Sequence, residues 1–321
     1  MTGRNVILYA SKFLQGDVSS AHSVSIVDED LSGFMEVIHG LEGGKGLDLI
    51  MHSPGGSVEA AEGLVLYIRS KFTDVRVIVP QLAQSAATMI ACAANCVMMG
   101  KHSFLGPTDP QIQIQTSYGV QFVPAQAITA QFDKAVRECL DPKKLAAWMP
   151  MLGQYGPHLL TMCENFTTLS RELVGEWLYK YMYEGDPTKK SQSKSLSDWL
   201  SNHEEFKTHG RHISREQLES RGMKITHLED DQQIQDAVLS IFHSTMHVFY
   251  ASPVTKIIEN QLGKAFVKQV ASVVIDPGQA NIRPQKPNEQ QKPLPSNDST
   301  KLLESAFDRE VAKRKQRRGK K

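Results

Sequence analysis

The chain predicts an α/β fold built on a mainly parallel sheet. Three observations carry that prediction: strand and helix signals alternate through the first hundred residues, their connections are short, and two apolar strands run into specialised turns. Asn5-Val-Ile-Leu-Tyr reads as the first strand. Asp28, Glu29 and Asp30 then open a helix whose apolar residues recur at helical spacing as far as Ile38, acids at that end suiting the helix dipole. Leu47 to Met51 is a second strand and Val58 to Phe72 an amphipathic helix. Val75 to Pro80 is a third strand, Ser85 to Ala94 a compact helix, and Cys96 to Met99 a fourth strand.

The two turns carry the chemistry. In Ser53-Pro54-Gly55-Gly56, Pro54 fixes its own φ, and two glycines give a backbone that a substrate can approach closely. In the next unit Ser85 stands at the start of a helix of small residues. Alone, the first is also compatible with a phosphate-binding or structural turn, and the second with a helix N-cap. Together, on successive β-α units, they supply a hydroxyl nucleophile and backbone oxyanion donors, the two parts that acyl transfer requires.

Beyond residue 100 the rhythm changes. Residues 101–126 hold Gly106-Pro-Thr-Asp-Pro and an alternating Ile-Gln-Ile-Gln, and residues 127–185 are strongly helical. Lys189 to Ser197 reads as a polar loop. Leu196 to Glu205, Ser214 to Arg221 and Gln232 to His247 read as helices, with a short strand over Gly222 to Leu228. Pro277 to Ser299 is rich in Pro, Gln and Asn and predicts disorder, and the chain ends in a basic run. That tail is a solvated terminus or a contact for nucleic acid or acidic partners.

A net charge of +1 argues against a globally basic nucleic-acid binder, and 40% apolar residues suffice for a large core. The N-terminus lacks a signal peptide's apolar region, and the Ala-rich stretch Ser85 to Gly100 is too short to span a membrane, so a cytoplasmic protein is expected. Cys92, Cys96, Cys139 and Cys163 show no CxxC spacing, and His243 and His247 lack a further ligand, so no metal is expected. Gly43-Gly-Lys-Gly is not a P-loop.

Three stretches, His52-Ser-Pro-Gly-Gly-Ser-Val-Glu-Ala-Ala, Val79-Pro-Gln-Leu-Ala-Gln-Ser-Ala-Ala-Thr-Met-Ile-Ala and Met99-Gly-Lys-His-Ser-Phe-Leu-Gly-Pro-Thr-Asp-Pro-Gln-Ile, resemble the Clp/crotonase fold. The resemblance is closest to the serine dehydrogenase proteinase family, relatives of signal peptide peptidase A. It extends through Thr208-His-Gly-Arg-His-Ile-Ser-Arg-Glu-Gln-Leu and Leu228-Glu-Asp-Asp-Gln-Gln-Ile-Gln-Asp-Ala-Val, over roughly residues 4–250. It implies a spiral of ββα units forming a peptidase domain of residues 1–275, with a helical insert at about 127–205 and a disordered tail over 276–321. It also implies a serine peptidase that needs no cofactor, acts on peptide or protein, and assembles into homo-oligomers of three or more subunits through helical arms. Ser85 matches the nucleophile, and Gly55, Gly56 and the N–H of Ala86 match the oxyanion hole.

The activating base departs from the relatives. The Clp histidine falls at Thr108, its aspartate near Gly210, and the lysine of signal peptide peptidases at Gln126. His209 is then the candidate base, oriented by Asp109; His212 and Lys134 are alternatives, as is a water-mediated or absent base. Ala87 stands where close relatives tend to carry glycine. Competing readings are a non-catalytic peptide binder or scaffold, motivated by the missing bases, and a crotonase-like acyl-CoA enzyme, against which Ser85 itself argues.

Overall fold

The computed structural model describes residues 3–15, 21–116 and 119–270; the Pro/Gln-rich and basic tail, residues 276–321, lies outside them. The strands in chain order are β1 (Asn5–Ser11), β2 (Leu47–His52), β3 (Val75–Val79), β4 (Leu82–Ala83), β5 (Cys96–Met99) and β6 (Phe104–Leu105). They continue with β7 (Gln111–Thr116), β8 (Gly119–Pro124), β9 (Ile213–Ser214), β10 (Ile225–His227), β11 (Val254–Asn260) and β12 (Ala265–Gln269). Seven of them form one sheet in the order β10-β5-β3-β2-β1-β11-β12. From β10 to β1 every pairing is parallel.

The antiparallel hairpin β11–β12 closes the far edge, an addition the sequence reading did not anticipate. Its reason is local: Asn260, whose side chain accepts from the N–H of Leu262 and Lys264, and Gly263 at φ +78° form the tight turn that folds β12 back.

β4 and β6 pair in parallel in a second, three-stranded sheet completed by β9, and Ser53 bridges to Ala83 beside it. After β3 and β5 the chain passes to β4 and β6 of this second layer, and after β2 to the Ser53 bridge beside it, before the next helix. That is the ββα repeat of a Clp-type fold.

The helices are α1 (Ala21–Val24), α2 (Glu29–Ile38), α3 (Val58–Lys71), α4 (Ala86–Cys92), α5 (Ala125–Glu138) and α6 (Pro142–Leu152). They continue with α7 (Leu159–Trp177), α8 (Lys190–Leu200), α9 (His203–Phe206), α10 (Arg215–Ser220) and α11 (Gln232–Ala251). In α3, Ser57 caps the start by accepting from the N–H of Ala60, while Ala60, Ala61, Leu64, Val65 and Ile68 make the buried stripe. The main core packs this stripe with the buried faces of α2, α4, α7 and α8 against the sheet. β2 is buried on both faces: Leu49 and Met51 point into that core, and Ile50 into a second one covered by Val238 and Phe249 of α11.

Residues 190–195, read from sequence within a polar loop over Lys189 to Ser197, belong to the helix α8. Ser193, Leu196, Ser197 and Leu200 fall on one face and are buried, and the small serines let α8 approach α7 closely: a Cβ on Gly175 would lie 3.6 Å from Ser197. Composition suggested solvent, but spacing decided the fold. The single helix expected over Leu196 to Glu205 is divided, because the Asn202 side chain takes the N–H groups of Glu204 and Glu205 and starts α9.

Candidate active site

Ser85 occupies φ 53°, ψ −121°, a conformation that side chains rarely adopt. It is the first central residue of a type II′ turn over Gln84–Ala87, closed by the Ala87 N–H on the Gln84 carbonyl at 2.9 Å. Holding a non-glycine residue there costs about 1–3 kcal/mol, which the packing of fully buried α4 offsets. The turn lifts Ser85, half-buried, onto the wall of a cleft of about 950 Å³.

The glycine turn forms the adjoining wall. Gly55 has φ +93°, and a Cβ there would fall 2.6 Å from Ser85 Cβ and 2.9 Å from the Ala86 nitrogen, so only glycine permits this approach. A Cβ on Gly56 would strike the backbone of Ile26, which runs beside it as a parallel bridge. Ile26 donates to the Gly55 carbonyl at 2.7 Å and accepts from Ser57 at 3.0 Å.

The three candidate donors differ. The Gly55 N–H donates to Ser53 Oγ at 3.2 Å, whereas among the described residues the N–H groups of Gly56 and Ala86 meet no acceptor. Two unengaged donors, one on exposed Gly56 and one on buried Ala86, beside a serine hydroxyl are suited to a developing oxyanion.

Behind Ile26 lies a buried ion pair. Lys256 Nζ donates to both oxygens of Asp30 at 2.7 Å and to the Ser25 carbonyl at 2.6 Å, while Tyr9 Oη and the Val27 N–H donate to Asp30 as well. Lys256, Asp30 and Tyr9 are fully buried. Losing one partner of such a pair leaves an uncompensated charge, at a cost of about 3–5 kcal/mol, so this network pins the segment that supports the glycine turn.

His52 ends β2 just before that turn. It packs between Phe13 and Phe242 at ring distances of 4.7 and 5.1 Å, with neither ring nitrogen hydrogen-bonded. Burial pushes its pKa down to about 3; the nearby Leu82 backbone favours the charged form slightly but lies outside bonding geometry, and desolvation wins.

The opposite wall comes from residues far apart in sequence. Asp109, 1% exposed, accepts from His209 Nδ1 on Oδ1 at 2.7 Å and from His203 Nδ1 on Oδ2 at 3.0 Å. Because a carboxylate only accepts, both rings carry their neutral-form proton on Nδ1, which leaves Nε2 of His209 as a lone-pair acceptor. His209 lines the same cleft as Ser85, although no hydrogen bond joins the two.

The alternatives go elsewhere. His212 stacks on Phe104 at 5.0 Å, and Lys134 is exposed on α5; neither lines the cleft. Thr108, at the position of the Clp histidine, does line it, with its buried hydroxyl unpartnered. Gln126, at the lysine position, is turned away to accept from the His203 N–H at 2.9 Å and donate to the Ser201 carbonyl at 2.8 Å.

Sequence reasoning did not single out His203. Its signal is weak, since a histidine after an Asn cap in a four-residue helix resembles any surface histidine.

Among the described residues no group of three or more His, Cys, Asp or Glu side chains is placed to hold a metal, and no helix is long and apolar enough to cross a membrane. All four cysteines are free, and burial raises the thiol pKa of Cys92, Cys96 and Cys163.

Residues 25–143 match the profile of the ClpP-like SDH-type serine proteinases. Two uncharacterized proteins of Methanocaldococcus jannaschii are similar over shorter stretches. MJ0137 is 39% identical over 87 residues, 27% of this chain and 30% of its own length. MJ1495 is 41% identical over 66 residues, 21% of this chain and 23% of its own. The matches thus span under a third of either relative.

Among solved structures, a mutant of the 1510-N membrane-bound stomatin-specific protease aligns over 63% of this chain and 74% of its own, with TM-score 0.36 and 12% identity. Another mutant of that protease, in complex with a substrate peptide, aligns over 56% and 59%, with TM-score 0.34 and 13% identity. At those scores the alignments carry no weight for function. The segment that holds both the glycine turn and the serine turn therefore matches the ClpP-like SDH-type serine proteinases, the family its motifs resembled.

Proposed function

We propose that this protein is a serine peptidase that cleaves peptide bonds through an acyl-enzyme on Ser85. The observation that carries the reading is the strained Ser85 turn, set beside the unengaged N–H groups of Gly56 and Ala86 and across one cleft from the His209–Asp109 pair.

His209 Nε2 takes the Ser85 proton as Oγ forms its bond to the scissile carbonyl carbon. The carbonyl oxygen becomes an oxyanion held by Gly56 and Ala86, with Gly55 shaping the turn. The C–N bond then breaks, His209 returns the proton to the leaving amine, and a water deprotonated by His209 hydrolyses the ester. Asp109 holds the tautomer this requires. The missing Ser85–His209 hydrogen bond is compatible with the role, because such contacts often tighten only when substrate binds.

The substrate is a peptide or protein. The reading requires no cofactor and includes a cytoplasmic homo-oligomer of three or more subunits. The lining of the cleft beside Ser85 includes Met89, Val120, Phe122 and Phe166, which suits apolar side chains of an extended peptide.

The test is labelling by a fluorophosphonate probe, in which an Oγ–P bond replaces P–F and fluoride leaves. Ser85 is expected to be the labelled residue by mass spectrometry, with labelling abolished in Ser85→Ala and reduced about a thousandfold in His209→Ala. A folded protein that takes no label at Ser85 sinks the reading.

A further inference from the structure

We infer that His203 is a positioning residue of this site: together with Gln126 it locks the Asp109 carboxylate in the orientation that presents His209. The inference rests on the proposed serine peptidase reading.

Both oxygens of Asp109 are engaged. Oδ1 faces His209, and Oδ2 faces His203 Nδ1 at 3.0 Å and Gln111 Nε2 at 3.2 Å. A carboxylate held on one oxygen swings about its last torsion, which is broad and soft. Held on both, it keeps one plane, and the His209 ring follows it.

His203 is itself fixed at three points. Its N–H donates to Gln126 Oε1 at 2.9 Å, and Gln126 Nε2 donates to the carbonyl of Ser201 at 2.8 Å. The short helix it opens is capped by Asn202 and anchored by Phe206, which is buried against Trp199 at 5.1 Å. Lys207 at φ 66° ends that helix in the left-handed conformation and turns the chain so that His209 reaches the carboxylate His203 already holds.

Gln126 stands at the position where a related enzyme's lysine falls, yet here it acts one shell out, on the chain that supports the aspartate. The side chain is uncharged and offers a donor and an acceptor at once, the pair this junction uses. A lysine could donate to Ser201 but not accept from His203.

The experiment follows fluorophosphonate inactivation of the full chain, separating the maximal rate of inactivation from the probe concentration that gives half of it. His203→Leu is expected to lower the maximal rate roughly ten- to a hundredfold, the scale on which outer supporting hydrogen bonds act, with the half-saturating concentration and the melting temperature near wild type. His203→Asn, whose amide nitrogen can take the place of Nδ1–H, is expected to restore the rate to within about threefold. A downfield proton resonance from the His209–Asp109 bond should be present in wild type and His203→Asn and broadened or lost in His203→Leu.

A folded His203→Leu protein that inactivates at the wild-type rate overturns the inference while leaving the peptidase reading intact. Absence of label on wild-type Ser85 overturns both. Should His203→Leu fail to fold, Gln126→Ala decides: a slower maximal rate with an unchanged half-saturating concentration supports the inference, and an unchanged rate overturns it.

Discussion

The two walls of the cleft are built on different length scales. The serine and glycine wall comes from consecutive β-α units: Ser53 to Ser57 and Gln84 to Ala87 are set by their own turn geometry, and they meet where Gln84 N–H donates to the Ser53 carbonyl and where Gly55 approaches Ser85. The acid–histidine wall joins residues 94 and 100 positions apart, Asp109 with His203 and His209. The first wall is therefore specified by backbone conformation, and its residues have no substitutes. The second is specified by side chains meeting across a folded core, so its members can change as long as the meeting point is kept. That difference fits a chain that carries the Ser-Pro-Gly-Gly and Ser85 motifs of the family it resembles while Thr108 and Gln126 stand at that family's base positions.

The comparison is broken most severely at Gly55. In Gly55→Ala the new methyl would lie 2.5 Å from the Gln84 carbonyl oxygen and 2.6 Å from Ser85 Cβ, at φ +93°. Strain and overpacking together are expected to cost about 4 kcal/mol in urea melts and to cut Ser85 labelling at least a hundredfold. An alanine variant of near wild-type stability and reactivity would show that the wall is not set by backbone proximity.

His52 tests what supports that wall. Its pKa is pushed by burial from 6.5 to about 3, so below pH 6.5 the unfolded chain takes up a proton that the folded chain refuses. Wild type should therefore lose about 3 kcal/mol between pH 7 and pH 4 from this residue alone. His52→Phe keeps the ring between Phe13 and Phe242 and should lack that part of the loss, as chemical denaturation at several pH values would reveal. Parallel pH profiles for the two proteins would contradict the assignment.

The smallest effect belongs to the clamp on the distal chain segment that carries His209. Arg215 bonds Glu229 at 2.5 Å and the Met99 carbonyl at 3.2 Å, and Glu229 accepts from the Lys101 N–H at 2.8 Å. Desolvation acts to raise the Glu229 pKa, but the Lys101 and Arg215 hydrogen bonds outweigh it and hold the group down at about 2. Its contribution is complete above pH 4.5 and is lost as pH falls toward 2. Glu229→Gln is expected to cost about 1 kcal/mol at neutral pH, allowing for its partial exposure, and the two stability curves should converge as pH falls from 4.5 toward 2. A gap that stays constant with pH would assign the cost to packing rather than charge.

By itself the sequence determined the alternation of strands and helices over the first hundred residues and the placement of Ser85 and the glycines in turns, because those features depend on local periodicity and on backbone angles that few residue types tolerate. It also paired Asp109 with His209, though only through a resemblance that brought two distant segments near one another. The tertiary structure decided the rest. It made residues 190–195 part of a helix because a buried face of Ser193, Leu196, Ser197 and Leu200 outweighed a polar composition. It turned Gln126 away from the cleft, sent His212 to stack on Phe104, and brought His203 to the second oxygen of Asp109. The physical reason is that turn chemistry is written in adjacent residues, whereas a hydrogen bond between side chains about a hundred residues apart exists only once the core between them has packed.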